Sequence, residues 1–361
     1  MVNYEEMLNI PPYSLDRNKK HEFLTEQLSI LTRHHYDNCP EYRKIIDAFS
    51  FDVNCIKSYY DIPFLPVRLF KEYDLLSVPR GNIIKTMTSS GTTGQKVSKI
   101  YLDKETSLNQ TKTLVKIVSS YIGAKRLPMI VIDTSAVLKD RNMFSARGAG
   151  ILGFSVFARD RIFVLDENMD LNIDGMVQFL RKYEGEDILL FGFTYMIWQH
   201  FYNKLKELDF SLDLSRGIMM HGGGWKKLQE QAISPAGFKE ALHQICGINR
   251  VYDYYGMVEQ TGTVYIECEC GHLHSSIFSD VIIRRSSDFG IADFGEKGIV
   301  EVVSILPVSY PGHVLLTEDE GIIIGEDNCA CGRKGKYFKI TGRIKNAEIR
   351  GCSDTYADRF K

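Results

Sequence analysis

Four apolar runs constrain the fold of this chain more than any other feature: PMIVIDT (128–134), DRIFVLD (160–166), DILLFGF (187–193) and RGIMMHGGGW (216–225). Each is short and lies near a helical stretch. A strand with a continuous apolar run is one buried on both faces. After LLFGF comes TYMIWQHFYNKLKEL (194–208), a helix with Thr194 as its expected N-cap. RGIMMHGGGW runs into a glycine turn, with a helix expected from about Lys226. This alternation predicts an α/β fold with mixed sheets flanked by helices. In such sheets ligand loops leave the carboxyl ends of strands, the position expected for TSSGTTGQK (88–96), GFT (192–194), HGGG (221–224) and YYGMVEQTG (254–262).

The flanking segments read differently. In residues 18–38, Leu24, Leu28 and Leu31 fall at i, i+4 and i+7, one face of a helix. PEYRKIIDAF (40–49) reads as a second helix with Pro40 near its start. Pro63 and Pro66 make 61–70 a connector. Past residue 263 the strands shorten (VYIEC, VIIRR, IVEVVSIL, HVLL, GIII), which predicts a small, more antiparallel β subdomain. The expected organisation is a helical region at 1–75, an α/β core at 76–341 with the β subdomain from about 263, and a hinge and tail at 342–361.

Composition sets bounds. A net charge of -2 argues against a nucleic-acid or membrane surface. MVNYEEMLNI lacks the regions of a signal peptide, and the apolar stretch 188–198, broken by Gly192 and Thr194, is too short to span a bilayer. A cytoplasmic protein is expected, so its 8 cysteines suit metal binding or catalysis better than disulfides.

KTMTSSGTTGQKVSKIYLD (85–103) places hydroxyls, glycines and a lysine between two strand-like stretches. Gly91 and Gly94 let backbone N–H groups turn toward an anion. Thr88, Ser89, Ser90, Thr92 and Thr93 offer O–H donors, and Lys96 a compact positive charge. This reads as a phosphate cradle without Walker A spacing. Glu259, in a loop expected near the cradle, can hold a Mg²⁺ that bridges phosphate oxygens. Tyr255 can stack on adenine, and Gly222, Gly223 and Gly224 permit close backbone approach. His221 and Lys226 flank that turn, within reach of a carboxylate or phosphate. CECGHLH (268–274) and CACGRKG (329–335) form two Cys-x-Cys knuckles. Cys268, Cys270, Cys329 and Cys331 suit a tetrahedral structural Zn²⁺, with His272 or His274 able to replace one ligand. Cys39, Cys55 and Cys246 read as core fillers. Phe144, Arg147 and the small residues of FSARGAGILGFS, with FGFTYMIW, can line an apolar tunnel.

Several of these motifs together resemble a known superfamily. TSSGTTGQKVSK resembles the phosphate loop of the acyl-adenylate-forming enzymes, YYGMVEQTG their Tyr-Gly-x-Thr-Glu motif, LLTEDEG their Thr-Gly-Asp segment, and TGRIKNAEIRG their Gly-Arg hinge, in the same order. Val258 stands where that motif has Thr, and Glu318 where it has Gly. With RNMFSARGAGILGFS, LLFGFTY, HGGGWK and RIKNAEIRGCSDT, the whole chain resembles the LuxE family, acyl-protein synthetases of the bacterial bioluminescence fatty-acid reductase complex. The resemblance implies ATP and Mg²⁺ as cofactors, with Asp319 and Arg343 at the ribose, Gly256 within the nucleotide motif, and Phe193, Thr194, His221 and Gly222 at the acid. It implies formation of acyl-AMP, transfer of the acyl group to the chain's own Cys352, and delivery to a partner protein such as a reductase. The superfamily's C-terminal domain is expected to be absent or reduced to a short tail, leaving Lys226, Lys345 or Lys96 to replace its lysine. Arg350 and Lys345 can lower the Cys352 pKa. The alternatives are an acyl- or aryl-CoA ligase that never loads itself, and an inactive zinc-stabilised nucleotide-binding scaffold.

Overall fold

The strands alternate with helices through the middle of the chain and follow one another directly near its end. The computed structural model describes residues 4–89, 96–139 and 146–344. In chain order the strands are β1 (Leu65–Pro66), β2 (Ile83–Thr88), β3 (Lys99–Asp103), β4 (Leu127–Thr134), β5 (Ala158–Leu165), β6 (Ile188–Phe193), β7 (Gly217–Gly222), β8 (Arg250–Tyr255), β9 (Tyr265–Glu267), β10 (Leu273–His274), β11 (Ser279–Arg284), β12 (Lys297–Ser304), β13 (Val314–Glu326) and β14 (Lys336–Arg343). The fold is mixed α/β, with parallel and antiparallel strands flanked by helices. The described residues divide into two compact units, one of 122–255, the other of residues up to 121 together with those from 256 onward.

In the 122–255 unit the strands lie in the order β8-β7-β6-β4-β5 and each neighbouring pair is parallel. All of β6 and β7 is buried, as their unbroken apolar sequences require. Edge strand β5 alternates between exposed and half-buried positions over its first half. Ile130, Ile132, Leu190 and Met219 from the sheet pack with Met176, Ile197, Phe201, Phe238 and Leu242 from the helices. Two helix starts differ from the sequence reading. The helix after β7 begins at Pro235 rather than near Lys226, because Ser234 Oγ accepts from Gly237 N–H at 3.1 Å and Pro235 presets the first turn. Residues 226–231 form a separate 3₁₀ turn. Thr194 is already helical, and the cap position falls on Phe193, which has no side-chain acceptor. The Thr194 hydroxyl is used elsewhere.

In the other unit, helix Arg17–Asn38 buries Leu24, Leu28 and Leu31, and Asp16 Oδ1 caps it by accepting from Lys19 N–H at 3.1 Å. Pro40 opens the following helix. The sheet here runs β11-β12-β13-β14-β10-β9 with antiparallel pairs, and β1 adds in parallel to β13. HVLL and GIII, separate in the sequence reading, join into the single strand β13. β12 pairs with it on both sides of the polar TEDE stretch, β14 pairs from Asp319 onward, and a register shift at Glu320/Gly321 in the β14 pairing absorbs the irregularity. At Gly321 a Cβ would meet Val300 Cγ2 at 2.8 Å and Lys339 O at 2.9 Å. β2 and β3 form a separate two-stranded antiparallel sheet, so the strands flanking the cradle run are not part of the main sheet, contrary to the sequence reading.

Candidate functional site

The parallel unit brings a hydroxyl, an imidazole and a glycine turn together at the carboxyl ends of β6 and β7. Thr194 Oγ1 lies 3.0 Å from His221 Nδ1 and 3.1 Å from Gly222 O. His221 is buried, and burial followed by the Lys239 charge pushes its pKa down to about 3, so the ring is neutral. Its 3.7 Å approach to Asp253 is therefore not an ion pair at neutral pH. The single Thr194 proton decides the tautomer. Donated to Gly222 O, it leaves Nδ1–H to donate back to Thr194. Donated to Nδ1, it leaves Nε2–H as the donor, the form a substrate carboxylate would select. Gly222 is required by packing, since a Cβ there would lie 2.6 Å from Tyr254 O. Gly223 and Gly224 adopt φ of 81° and 65°, which favours glycine. Tyr255 ends β8, and Gly256 beside it in sequence is exposed.

Behind these ends sits an aromatic cluster. Phe154 stacks on Phe191 at 4.4 Å and packs on Tyr254 at 5.2 Å, while Phe193 meets Phe191 edge-on at 5.9 Å. At Gly150 a Cβ would meet Phe193 at 3.2 Å. Gly150 and Phe154 thus pack on the FGFTY segment. Arg147, from the same segment, forms a buried ion pair with Asp133 at the end of β4. The sequence analysis assigned no role to Asp133; an acidic residue closing an apolar strand was the available signal.

The other unit holds the remaining motifs. Ser89 Oγ accepts from Ser98 N–H at 2.9 Å and Ser89 N–H donates to Ser98 O at 3.1 Å, closing the hairpin below the cradle. Thr88 ends β2. Lys96 is exposed and bonds Glu72 Oε2 at 2.9 Å, a partner that sequence distance hid. The Lys96 hydrogen bond and charge lower the Glu72 pKa. Glu259 is fully buried in the turn Val258–Gln260. Tyr310 O–H donates to its carbonyl at 2.9 Å, and Gln260 Nε2 donates to Gly312 O at 2.9 Å. Asp319 and Arg343 face each other across β13 and β14, with Nε to Oδ1 at 3.4 Å. Arg343 also donates to Glu318 Oε2 at 2.8 Å, so the residue that departs from the superfamily motif engages the hinge arginine. Ser90, Gly91, Thr92, Thr93, Gly94, Phe144, Lys345, Arg350 and Cys352 lie outside the described residues, as does the side chain of Lys226.

The cysteine knuckles converge in this same unit. Ligand atoms of Cys268, His274, Cys329 and Cys331 all lie within 4.8 Å of one another. Cys270 is exposed and outside that set, though its N–H donates to Cys268 Sγ at 3.4 Å. Gly271 and Gly332, at φ of 76° and 81°, close the two knuckle turns. Three thiols and an imidazole are a donor set suited to zinc. Burial lowers the His274 pKa to about 4, which keeps the ring in its metal-binding neutral form.

A family profile described as "Acyl-protein synthetase, LuxE" matches residues 4–361. The chain belongs to that family. A long-chain-fatty-acid–luciferin-component ligase of Vibrio harveyi is 21% identical over 342 residues, covering 91% of this chain and 85% of the relative. The protein of the same name from Aliivibrio fischeri is 26% identical over 343 residues, covering 90% and 85%. The crystal structure of an open conformation of 2-hydroxyisobutyryl-CoA ligase with 2-HIB-AMP and CoA matches with a TM-score of 0.70 at 14% identity, over 94% of this chain and 75% of that one. At that identity the likeness shows the fold, that of the adenylate-forming ligases. The family makes this chain an acid–thiol ligase. Among the described residues no helix is long and apolar enough to cross a membrane.

Proposed function

We propose that this LuxE-family protein activates a fatty acid with ATP and carries the acyl group on Cys352 before passing it to a partner thiol. The match to acyl-protein synthetases over residues 4–361 carries the reading, and the relatives' names supply the long-chain acid. A carboxylate oxygen of the acid attacks the ATP α-phosphorus, and the bond to pyrophosphate breaks. The Cys352 thiolate then attacks the acyl carbonyl carbon, AMP leaves with the electron pair, and a thioester remains. A thiol of a partner such as a reductase takes the acyl group in turn. His221, as the Nε2–H tautomer held by Thr194, orients the acid with Phe193 and Gly222. The cradle from Thr88 to Lys96, with Ser89, Ser90, Gly91, Thr92, Thr93 and Gly94, binds the phosphates. Tyr255, Gly256 and the Gly222–Gly224 turn take the base and α-phosphate, and Asp319 and Arg343 the ribose. Mg²⁺, where bound at Glu259, would offset charge on the departing pyrophosphate. Zinc on the cysteine knuckles is proposed as structural, residues 342–361 as the hinge and tail that move Cys352, and the cytoplasm as the location.

The test is self-acylation. The purified protein is incubated with Mg-ATP and labelled acids, without coenzyme A, and weighed intact beside Cys352→Ser. An ATP-dependent adduct, released by hydroxylamine and lost in the variant, is expected. Acyl-AMP formed without any adduct, and acyl-CoA once coenzyme A is added, would overturn the self-loading step. Nucleotide binding without ATP–pyrophosphate exchange across the acids would overturn adenylation.

A further inference from the structure

Cys268 follows β9, His274 sits on β10, and Cys329 and Cys331 lie between β13 and β14. β10 pairs with both β9 and β14, so the four groups meet where three strands join. Cys268 Sγ and Cys329 Sγ are 3.8 Å apart, and Cys331 Sγ and His274 Nε2 are 3.4 Å apart. Ligands at Zn–S and Zn–N bond lengths in a tetrahedron are separated by about 3.8 Å between sulfurs and about 3.6 Å between sulfur and nitrogen. A sulfur separation of 3.8 Å is also far too long for a disulfide. The His274 ring is fully buried and lies between Tyr13 and Tyr337, at 6.2 and 5.6 Å. His272, the other histidine of the motif, approaches Cys329 Sγ at 3.5 Å but is not among the four mutually close groups.

We infer that the zinc of this protein is held by Cys268, His274, Cys329 and Cys331, with the Cys270 thiol left in solvent. The inference rests on the zinc reading above and is independent of the acylation steps. Four protein donors fill the tetrahedron, so the centre is closed and structural. Binding replaces three S–H bonds by Zn–S bonds and releases up to three protons, while the neutral imidazole releases none. The resulting centre carries one net negative charge. Arg333, two residues past Cys331, pairs with Glu269 at 2.7 Å, lies 4.1 Å from the Tyr121 ring and places a positive charge beside the centre. The Cys270 N–H to Cys268 Sγ contact supplies a further donor to a thiolate. The two knuckles therefore match in sequence but not in use: one gives one thiolate, the other two.

The protein as purified, dialysed against a weak chelator, is analysed for metal and by zinc X-ray absorption. About one zinc per chain is expected, with three sulfurs at about 2.3 Å and one nitrogen at about 2.0 Å. Cys270→Ser and His272→Ala should keep the full zinc content, whereas His274→Ala and Cys331→Ser should lose most of it. Four sulfurs, or zinc loss in Cys270→Ser with retention in His274→Ala, would overturn this ligand set and leave zinc standing. A metal-free protein that takes up no added zinc, or an intact mass lower by a disulfide's two hydrogens, would overturn zinc itself. The absorption spectrum is read on the unaltered protein, so a variant that fails to fold does not remove the test.

Discussion

The two units of this molecule stabilise their sheets by different means. The parallel sheet of 122–255 is sealed mainly by aliphatic and aromatic side chains, with the Arg147–Asp133 pair buried at the end of β4. The antiparallel sheet buries a larger network of charge. Asp280 accepts from Lys336 Nζ at 2.6 Å and from Tyr59 O–H at 2.5 Å, and Lys20 Nζ lies 3.3 Å from it, all three charged groups nearly free of solvent contact. Arg284 and Glu301 form a second buried pair in the same sheet, 2.5 Å apart. Despite burial, the two lysines and the hydrogen bonds hold the Asp280 carboxyl well below the usual carboxylate range. The comparison teaches that an apolar sheet tolerates small losses at each position, whereas a charged cluster must be complete.

The largest expected effect breaks that completeness. Asp280→Ala leaves two lysine ammonium groups without their buried counter-charge and should cost about 3–5 kcal/mol. Hydrogen exchange of peptides from β11 and β14, read against denaturant, would measure it. Replacing Lys20, Asp280 and Lys336 together by apolar residues of similar size should restore most of that loss, and failure to do so would show that the cluster adds stability beyond mutual compensation.

Acid should act on both units. His221 and His313 are buried neutral, each with its pKa pushed down to about 3 by burial, with Lys239 and His34 respectively adding to the shift. The unfolded chain protonates them near pH 6.5, so their contribution is intact above that pH and is lost as pH falls toward 3. Between pH 6.5 and 5 each should remove about 2 kcal/mol. Unfolding curves of His221→Gln and His313→Gln across this range would each show a shallower acid slope.

In the apolar sheet, Ile132→Val should cost only about 0.5–1.5 kcal/mol, detectable as lost exchange protection in β4 and β6. A loss as large as that of Asp280→Ala would erase the contrast between the units. The smallest stability effect is expected for Lys96→Met, because the Lys96–Glu72 pair is solvent-exposed. Its thermal midpoint should stay that of the parent, while acyl-AMP formation falls on the order of 10²-fold if Lys96 serves the phosphates. A rate equal to the parent's would remove Lys96 from the site.

Legibility followed distance along the sequence. Strands β4, β6 and β7, the Leu24–Leu28–Leu31 face and the hairpin around the cradle could be read because each depends on local pattern. Three readings shifted. Residues 226–231 form a separate turn because Ser234–Pro235 starts the helix, HVLL and GIII fuse because β12 pairs with both, and Thr194 turns to His221 and Gly222. Glu72 as the Lys96 partner, and Lys20 as the Asp280 partner, had no sequence signal.

The sequence by itself determined the α/β alternation, the family and the residue types of the candidate site, since periodicity and ordered motifs are written in neighbouring residues. Tertiary structure alone decided which cysteine faces solvent, which carboxylate meets Arg343 and which charges are buried together. Those outcomes depend on groups far apart in the chain, such as Lys20 and Asp280, which meet where a helix packs on the sheet, or Cys268 and Cys329, which meet through strand pairing.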